Sequence, residues 1–95
     1  MATTGLAHLF IAGRTPRNER LEASLRALFE TVPLGLRLTV HDTLCDPAAA
    51  IEHDVVMTPT LLLDLPDRDR IRLFGNLRDT EALRLLIEVK PRPGG

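Results

Sequence analysis

The stretch Val56-Met57-Thr58-Pro59-Thr60-Leu61-Leu62-Leu63 decides the fold of this chain, because a Thr-Pro dipeptide runs directly into an apolar segment. Proline has no backbone N–H to donate to a sheet, and an X-Pro bond is the one peptide bond at which the cis form costs little. We therefore predict that Pro59 is a structural cis-proline at a tight turn that leads into a buried strand over residues 60–65.

Upstream of this strand the sequence predicts a strand followed by a helix. Residues 6–12 are a nearly continuous apolar run, which is typical of a central strand covered on both faces. Thr15 and Pro16 then supply a helix N-cap and a proline at the first helical position. The apolar side chains that follow recur at helical spacing and define one buried stripe: Leu21, Leu25, Leu28, Phe29 and Val32.

A second strand and a short helix come next. Residues 36–41 alternate apolar and polar side chains, which predicts an edge or near-edge strand with its polar residues facing outward. Those polar residues are Arg37, Thr39 and His41. Asp46-Pro47 repeats the combination of cap and proline, and we predict a helix over residues 47–53.

The last third of the chain predicts a hairpin and a final helix. Residues 70–74 form the hairpin partner of the strand over residues 60–65, after a polar turn. Asp79 is placed to cap a helix that Pro91 stops. We predict a single domain over residues 1–90 and a disordered tail over residues 91–95.

The resulting order, βαβαββα, predicts an α/β fold of the thioredoxin-like type. A helix between the first two strands requires a crossover, so these strands should be parallel, whereas the hairpin is antiparallel. Such a domain contains a four-stranded mixed sheet with three helices distributed over both faces.

Composition limits the functions that this fold can serve. The 95 residues carry a formal net charge of −1, which gives no overall electrostatic reason to bind nucleic acid or an anionic membrane. The sequence shows neither a signal peptide nor an apolar run that could span a bilayer, so we expect a cytoplasmic protein. Cys45 is alone and forms no internal disulfide; we predict that it is a small buried apolar residue.

No catalytic, cofactor or metal site is predicted. In thiol oxidoreductases the nucleophilic cysteine follows the first strand, and here that loop reads Gly13-Arg14-Thr15-Pro16-Arg17-Asn18, without a cysteine. Ligand-type residues between His41 and Asp54 match no standard zinc spacing. His8 is interpreted as a partly buried, hydrogen-bonded core histidine.

Three arginines are the candidate binding residues at the same loop. Arg14, Arg17 and Arg20 stand at the start of the first helix, where positive charge opposes the helix dipole. They suit an acidic partner or a phosphate, and they also suit an ordinary solvated surface.

Four blocks of the sequence resemble motifs of the KaiB family of cyanobacterial circadian-clock proteins. The blocks are Leu9-Phe10-Ile11-Ala12-Gly13-Arg14-Thr15-Pro16, Val40-His41-Asp42-Thr43-Leu44-Cys45-Asp46-Pro47, Met57-Thr58-Pro59-Thr60-Leu61 and Arg72-Leu73-Phe74-Gly75-Asn76-Leu77. They are similar to the family's L-(Y/F)-(V/I)-A-G-x-T-P, V-I-D-V-L-x-x-P, A-T-P-T-L and R-I-I-G-D-L. Substitutions between the blocks, and a Pro-Arg-Pro-Gly-Gly tail instead of an acidic one, mark a divergent paralogue.

The resemblance implies a non-enzymatic adaptor that binds a KaiC-type clock ATPase and then a KaiA-like protein or a histidine kinase. It also implies a metamorphic chain whose alternative ground state, βαββααβ, forms a tetramer; the sequence leaves monomer, dimer and tetramer open. We expect the thioredoxin-like form to be favoured, because Asp46-Pro47 and Asp79 cap its helices.

Two other functions remain open on the same fold. One is a redox-inactive binding module for an ATPase or kinase outside the clock, for example in stress signalling. The other is a glutathione-linked enzyme, which fold analogy alone would suggest.

Overall fold

Seven secondary-structure elements follow one another in the predicted order. The computed structural model describes residues 5–32, 35–66, 68–75 and 77–88. Its elements are β1 (Gly5–Ile11), α1 (Pro16–Thr31), β2 (Leu36–Asp42), α2 (Pro47–Glu52), β3 (Thr60–Asp64), β4 (Ile71–Phe74) and α3 (Thr80–Glu88). The predicted order βαβαββα is confirmed, whereas the predicted tail over residues 91–95 lies outside the described residues.

The four strands form one mixed sheet in the order β2-β1-β3-β4. β1 pairs with β2 in parallel, from Gly5 opposite Leu36 to Ile11 opposite Asp42. β1 and β3 are antiparallel, and so are β3 and β4. The sheet confirms both strand predictions: β1 is central and β2 lies at an edge.

The main core lies between one face of the sheet and the helices α1 and α3. The predicted stripe of α1 is buried, and Leu25 at its centre is fully buried. Ala7, Leu9 and Ile11 of β1 point into this core, together with Leu61 and Leu63 of β3. Burial of each large aliphatic side chain stabilises the fold by about 1.5–3 kcal/mol, so this layer is the principal source of stability.

The opposite face of the sheet has a much smaller cover. There α2 packs Ala49 against Phe10 and Leu62. A helix of six residues is not stable alone in water, so α2 depends on such contacts. Arg72 of β4 provides another, because its guanidinium donates to the carbonyl oxygens of His53 (3.2 Å) and Asp54 (3.1 Å).

Each helix begins at its predicted cap. Thr15 Oγ1 accepts from Asn18 N at 3.1 Å, Asp46 Oδ1 from Ala49 N at 3.4 Å, and Asp79 Oδ1 from Ala82 N at 3.1 Å. The peptide bond between Thr58 and Pro59 is cis. Within the described residues, none of the helices has the length and apolar character needed to cross a membrane.

Candidate partner-binding surface

The arginines at the start of α1 differ in how they are held. Arg14 Nη1 donates to Glu22 Oε1 at 2.6 Å, and Arg26 Nη2 lies 2.8 Å from Glu22 Oε2. Burial alone would raise the pKa of Glu22, but hydrogen bonds from Arg26 and Arg14 lower it. Arg14 is therefore engaged within the domain, whereas Arg17 and Arg20 extend exposed side chains from the first turns of α1.

The predicted binding residues do not form one continuous patch. Arg37 lies near the start of β2, beside a groove that Arg26, Phe29 and Glu30 of α1 also line. The α1 arginines lie near the other end of β2, where Ile11 is paired with Asp42. Since a strand rises by about 3.3 Å per residue, roughly 16 Å of β2 separates Arg37 from Asp42. The structure thus brings the edge of β2 and the start of α1 to separate parts of the surface.

Among the described residues, no strand pairs with the outer edge of β2. Thr43 N donates to Ile11 O at 2.8 Å, so alternation directs the backbone groups of Leu38 and Val40 away from β1. Arg37 and Thr39 are exposed beside this edge, as expected. An unpaired strand edge with polar side chains can accept an additional strand from a partner.

The outward orientation predicted for His41 is wrong. Its ring stacks on Phe10 with centroids 4.5 Å apart, and the side chain is half-buried. The alternation of β2 did place His41 on the face opposite α1, but α2 and Phe10 cover that face at this end. Periodicity therefore identified the face correctly and missed the layer above it.

The burial predicted for Cys45 is also wrong, because its side chain is exposed. Its thiol points to Asp42, with Sγ 3.6 Å from Oδ2. The residue lies in the tight turn between β2 and α2, so no layer covers it. Among the described residues, no group of three histidine, cysteine or acidic side chains has the arrangement to hold a metal ion.

Asp42 organises the loops at this end of the sheet, and sequence reasoning missed its role. Its Oδ1 accepts from Gly13 N at 2.9 Å and from Leu44 N at 3.0 Å. These backbone donors lower the pKa of Asp42, chiefly the N–H of Gly13. Gly13 itself has a φ of +88°, a conformation that favours glycine. The Gly13 and Asp42 positions of the first two motif blocks therefore act together.

A cleft of about 720 Å3 opens where thiol chemistry would be sought in this fold. It lies between the loop after β1, the cis-Pro59 turn and Gly75, and none of the described residues that line it is a cysteine or a histidine. Asn18 at its edge donates to Gly13 O at 2.8 Å, so that amide is used to fix the loop.

Exposed aliphatic side chains form a feature that the sequence reasoning did not single out. They belong to α2 and its flanking loops, and their exposed fractions are high: Leu44 72%, Ile51 77% and Val56 87%. Ile51 lies on the side of α2 away from the buried Ala49, and α2 packs beside β2. The sequence did carry a signal for this feature. Its short helix has more apolar side chains than one small contact with the sheet can bury.

Comparisons with a family profile and with individual proteins point to the same family. The profile of the KaiB domain matches residues 8–89. The chain is similar to the circadian clock oscillator protein KaiB of Synechococcus sp. (strain RCC307), with 41% identity over 87 residues, covering 90% of this chain and 78% of that protein. The protein of the same name from Parasynechococcus marenigrum (strain WH8102) is 40% identical over 87 residues, with 90% and 83% covered.

Solved structures show the same architecture. A mutant thioredoxin from Halobacterium salinarum NRC-1 superimposes with a TM-score of 0.74 and 25% identity, over 94% of this chain and 80% of that one. The N-terminal domain of Synechococcus elongatus SasA has a TM-score of 0.72 and 22% identity, over 92% and 82%. These likenesses confirm the thioredoxin-like fold.

Proposed function

Because the chain belongs to the KaiB family, we propose that it is a non-enzymatic adaptor of circadian timing that binds a KaiC-type ATPase. A KaiA-like protein or a histidine kinase would be the further partner. We also propose that it acts in the cytoplasm. The relatives that it matches carry the name of circadian clock oscillator proteins, which supports a role in timing.

The observation that carries the binding role is the open edge of β2 with α2 beside it. Arg37 and Thr39 flank backbone groups with which no described strand pairs, and Ile51 adds an exposed apolar side chain from the adjacent helix. Backbone pairing with a central apolar contact and a charged periphery is a common form of protein interface. Arg17 and Arg20 supply positive charge at the start of α1, where they would attract an acidic partner.

The chemistry of the loop after β1 supports an adaptor over an enzyme. In a thiol oxidoreductase a low-pKa cysteine stands at this helix start, whereas here Thr15 serves as the N-cap of α1. Cys45 lies instead after β2. We expect no turnover of glutathione or disulfide substrates, and measurable turnover would favour the enzymatic alternative.

Size-exclusion co-elution with a KaiC-type ATPase from the same organism, followed over hours with and without ATP, tests the proposal. We expect stable co-migration, weakened by Arg37→Glu and by the double variant Arg17→Glu/Arg20→Glu. Arg84→Glu on α3 makes the same charge change away from β2 and α2, so it should co-migrate normally. Failure to bind, in a sample whose backbone NMR shifts report the thioredoxin-like fold, would contradict the assignment and favour a partner outside the clock.

A further inference from the structure

All three histidines of the chain meet at one place on the α2 face of the sheet. His8 belongs to β1, His41 to β2, and His53 is the C-cap residue of α2. Their ring centroids are 5.4 Å (His8 to His41), 5.1 Å (His8 to His53) and 6.0 Å (His41 to His53) apart. Phe10 packs beneath them, 4.5 Å from His41 and 5.5 Å from His53. This histidine cluster joins the end of α2 to the central and edge strands.

Two contacts in the cluster require neutral nitrogen atoms. His8 Nδ1 lies 3.2 Å from His41 Nε2, and one of the two must accept the proton of the other. His53 Nδ1 lies 3.3 Å from Arg70 Nη1. Because a guanidinium only donates, His53 Nδ1 must be the acceptor in that contact. Protonation of His53 therefore places two donors in its contact with Arg70. Protonation of both His8 and His41 does the same in the contact between those two rings.

The charged groups around the cluster act on the histidines in both directions. Asp64 of β3 lies 4.0 Å from His8 Nε2, but Arg70 already donates to both of its carboxylate oxygens, at 2.6 and 2.8 Å. From the helix side, Asp46 and Glu52 favour protonation of His41. Arg72 of β4 binds the carbonyl oxygens of His53 and Asp54, and Arg37 of β2 shares this face of the sheet.

For His8 and His41, the balance of these effects favours the neutral imidazole. Burial lowers the pKa of His8, and the neighbouring His41 and His53 add to this effect against the attraction of Asp64. Burial, and then His53, lower the pKa of His41. In the unfolded chain a histidine has a pKa of about 6.5, so just below that pH the unfolded state binds more protons at these two positions. The contribution of His8 and His41 to stability therefore decreases as the pH falls.

We propose that the histidine cluster is a pH-sensitive latch that holds α2 against the sheet near neutral pH and releases it under mildly acidic conditions. The latch does not depend on the identity of the partner. It acts on α2 because the main-core layer of α1 and α3 lies on the other face of the sheet and contains no histidine. The apolar cover of α2 is only the small contact with Phe10 and Leu62.

A proton NMR titration of the intact chain between pH 5 and 8 tests the electrostatic part directly, because the three histidine signals all belong to the cluster. We expect the signals of His8 and His41 to titrate below the values measured in the urea-unfolded chain. Titration of both at the unfolded values would overturn the proposal.

Amide hydrogen exchange, corrected for intrinsic rates, tests the release of α2. Between pH 7.5 and 5.5 we expect protection in α2 to fall by tenfold or more, while protection in α1 stays constant. The double variant His8→Asn/His53→Asn keeps an amide oxygen near each Nδ1 position without a titrating group, so its α2 protection should depend much less on pH. Equal losses in α1 and α2, or an undiminished pH dependence in the variant, would contradict a local latch.

Discussion

At the scale of single residues, Asp42 does more than its surface position suggests. One carboxylate oxygen accepts from Gly13 N and Leu44 N, so it joins the loop after β1 to the turn after β2. Replacing it by alanine leaves both donors without this acceptor. We expect Asp42→Ala to lower the urea midpoint of unfolding, and Asp42→Asn, which keeps an oxygen acceptor, to lower it less.

The same residue gives a pH dependence of known sign. The N–H groups of Gly13 and Leu44 lower the pKa of Asp42 in the folded state below its ordinary 3.8. Its stabilising contribution is therefore complete above about pH 4 and is lost as the pH falls through the lowered pKa. The wild type should lose stability across this acid range more steeply than Asp42→Asn, whose side chain does not titrate; parallel pH profiles would contradict this account.

Single residues also show where sequence reasoning stopped. The alternation of β2 assigned His41 to a face, but only the register between β1 and β2 places it opposite Phe10. Similarly, the hydrophobic character of Cys45 suggested burial, whereas the turn that holds it has no covering layer. The histidine cluster joins positions 33 residues apart along the chain, a distance at which local patterns carry no information.

At the scale of elements, the sequence predicted nearly everything that depends on local chemistry. Caps, prolines and periodicities gave the order and approximate bounds of all three helices and four strands, because each signal lies within the element that it starts, fills or ends. The cover of the α2 face was not predicted, since α2 has too few residues for a clear apolar stripe. Its placement depends on contacts from other elements, among them Arg72 of β4.

That dependence leads to a test of how α2 is held. Arg72 satisfies the carbonyl oxygens of His53 and Asp54 just after α2, where a helix leaves acceptors without partners. A typical hydrogen bond contributes about 0.5–1.5 kcal/mol net, so the loss of these two should weaken α2 without unfolding the domain. We expect Arg72→Gln to raise amide exchange rates in α2 severalfold while those in α1 stay unchanged. Arg84→Gln on α3 is the matched control and should leave exchange in α2 unchanged. Faster exchange in α2 of this control, or in α1 of Arg72→Gln, would indicate a general loss of stability instead.

At the scale of the whole molecule, the main core and the proposed binding surface occupy different faces of the sheet. The large core between the sheet and the helices α1 and α3 holds the domain together. The exposed aliphatic side chains are concentrated around α2, on the thinly covered face beside the open β2 edge. Substitutions on that face can therefore weaken binding without unfolding the domain, which makes the proposed interface accessible to mutation.

Two kinds of substitution should then affect binding through different rate constants. Charge reversal at Arg37 or Arg17 removes long-range attraction, so it should mainly slow association and reduce its dependence on salt. Ile51→Asp removes a contact made only in the complex, so it should mainly speed dissociation, with a loss of roughly tenfold or more in affinity if Ile51 is buried by the partner. Surface plasmon resonance with an immobilised KaiC-type ATPase separates the two effects.

Leu85→Asp on α3 is the control for Ile51→Asp, because Leu85 is also a large exposed aliphatic residue, with 60% of its surface accessible. It lies outside the α2 and β2 surface, so it should leave both rate constants unchanged. Equal losses for Ile51→Asp and Leu85→Asp would show that the partner does not distinguish the two faces. The loss for Ile51→Asp would then be no evidence for an interface at α2, because an exposed aliphatic side chain elsewhere would have the same effect.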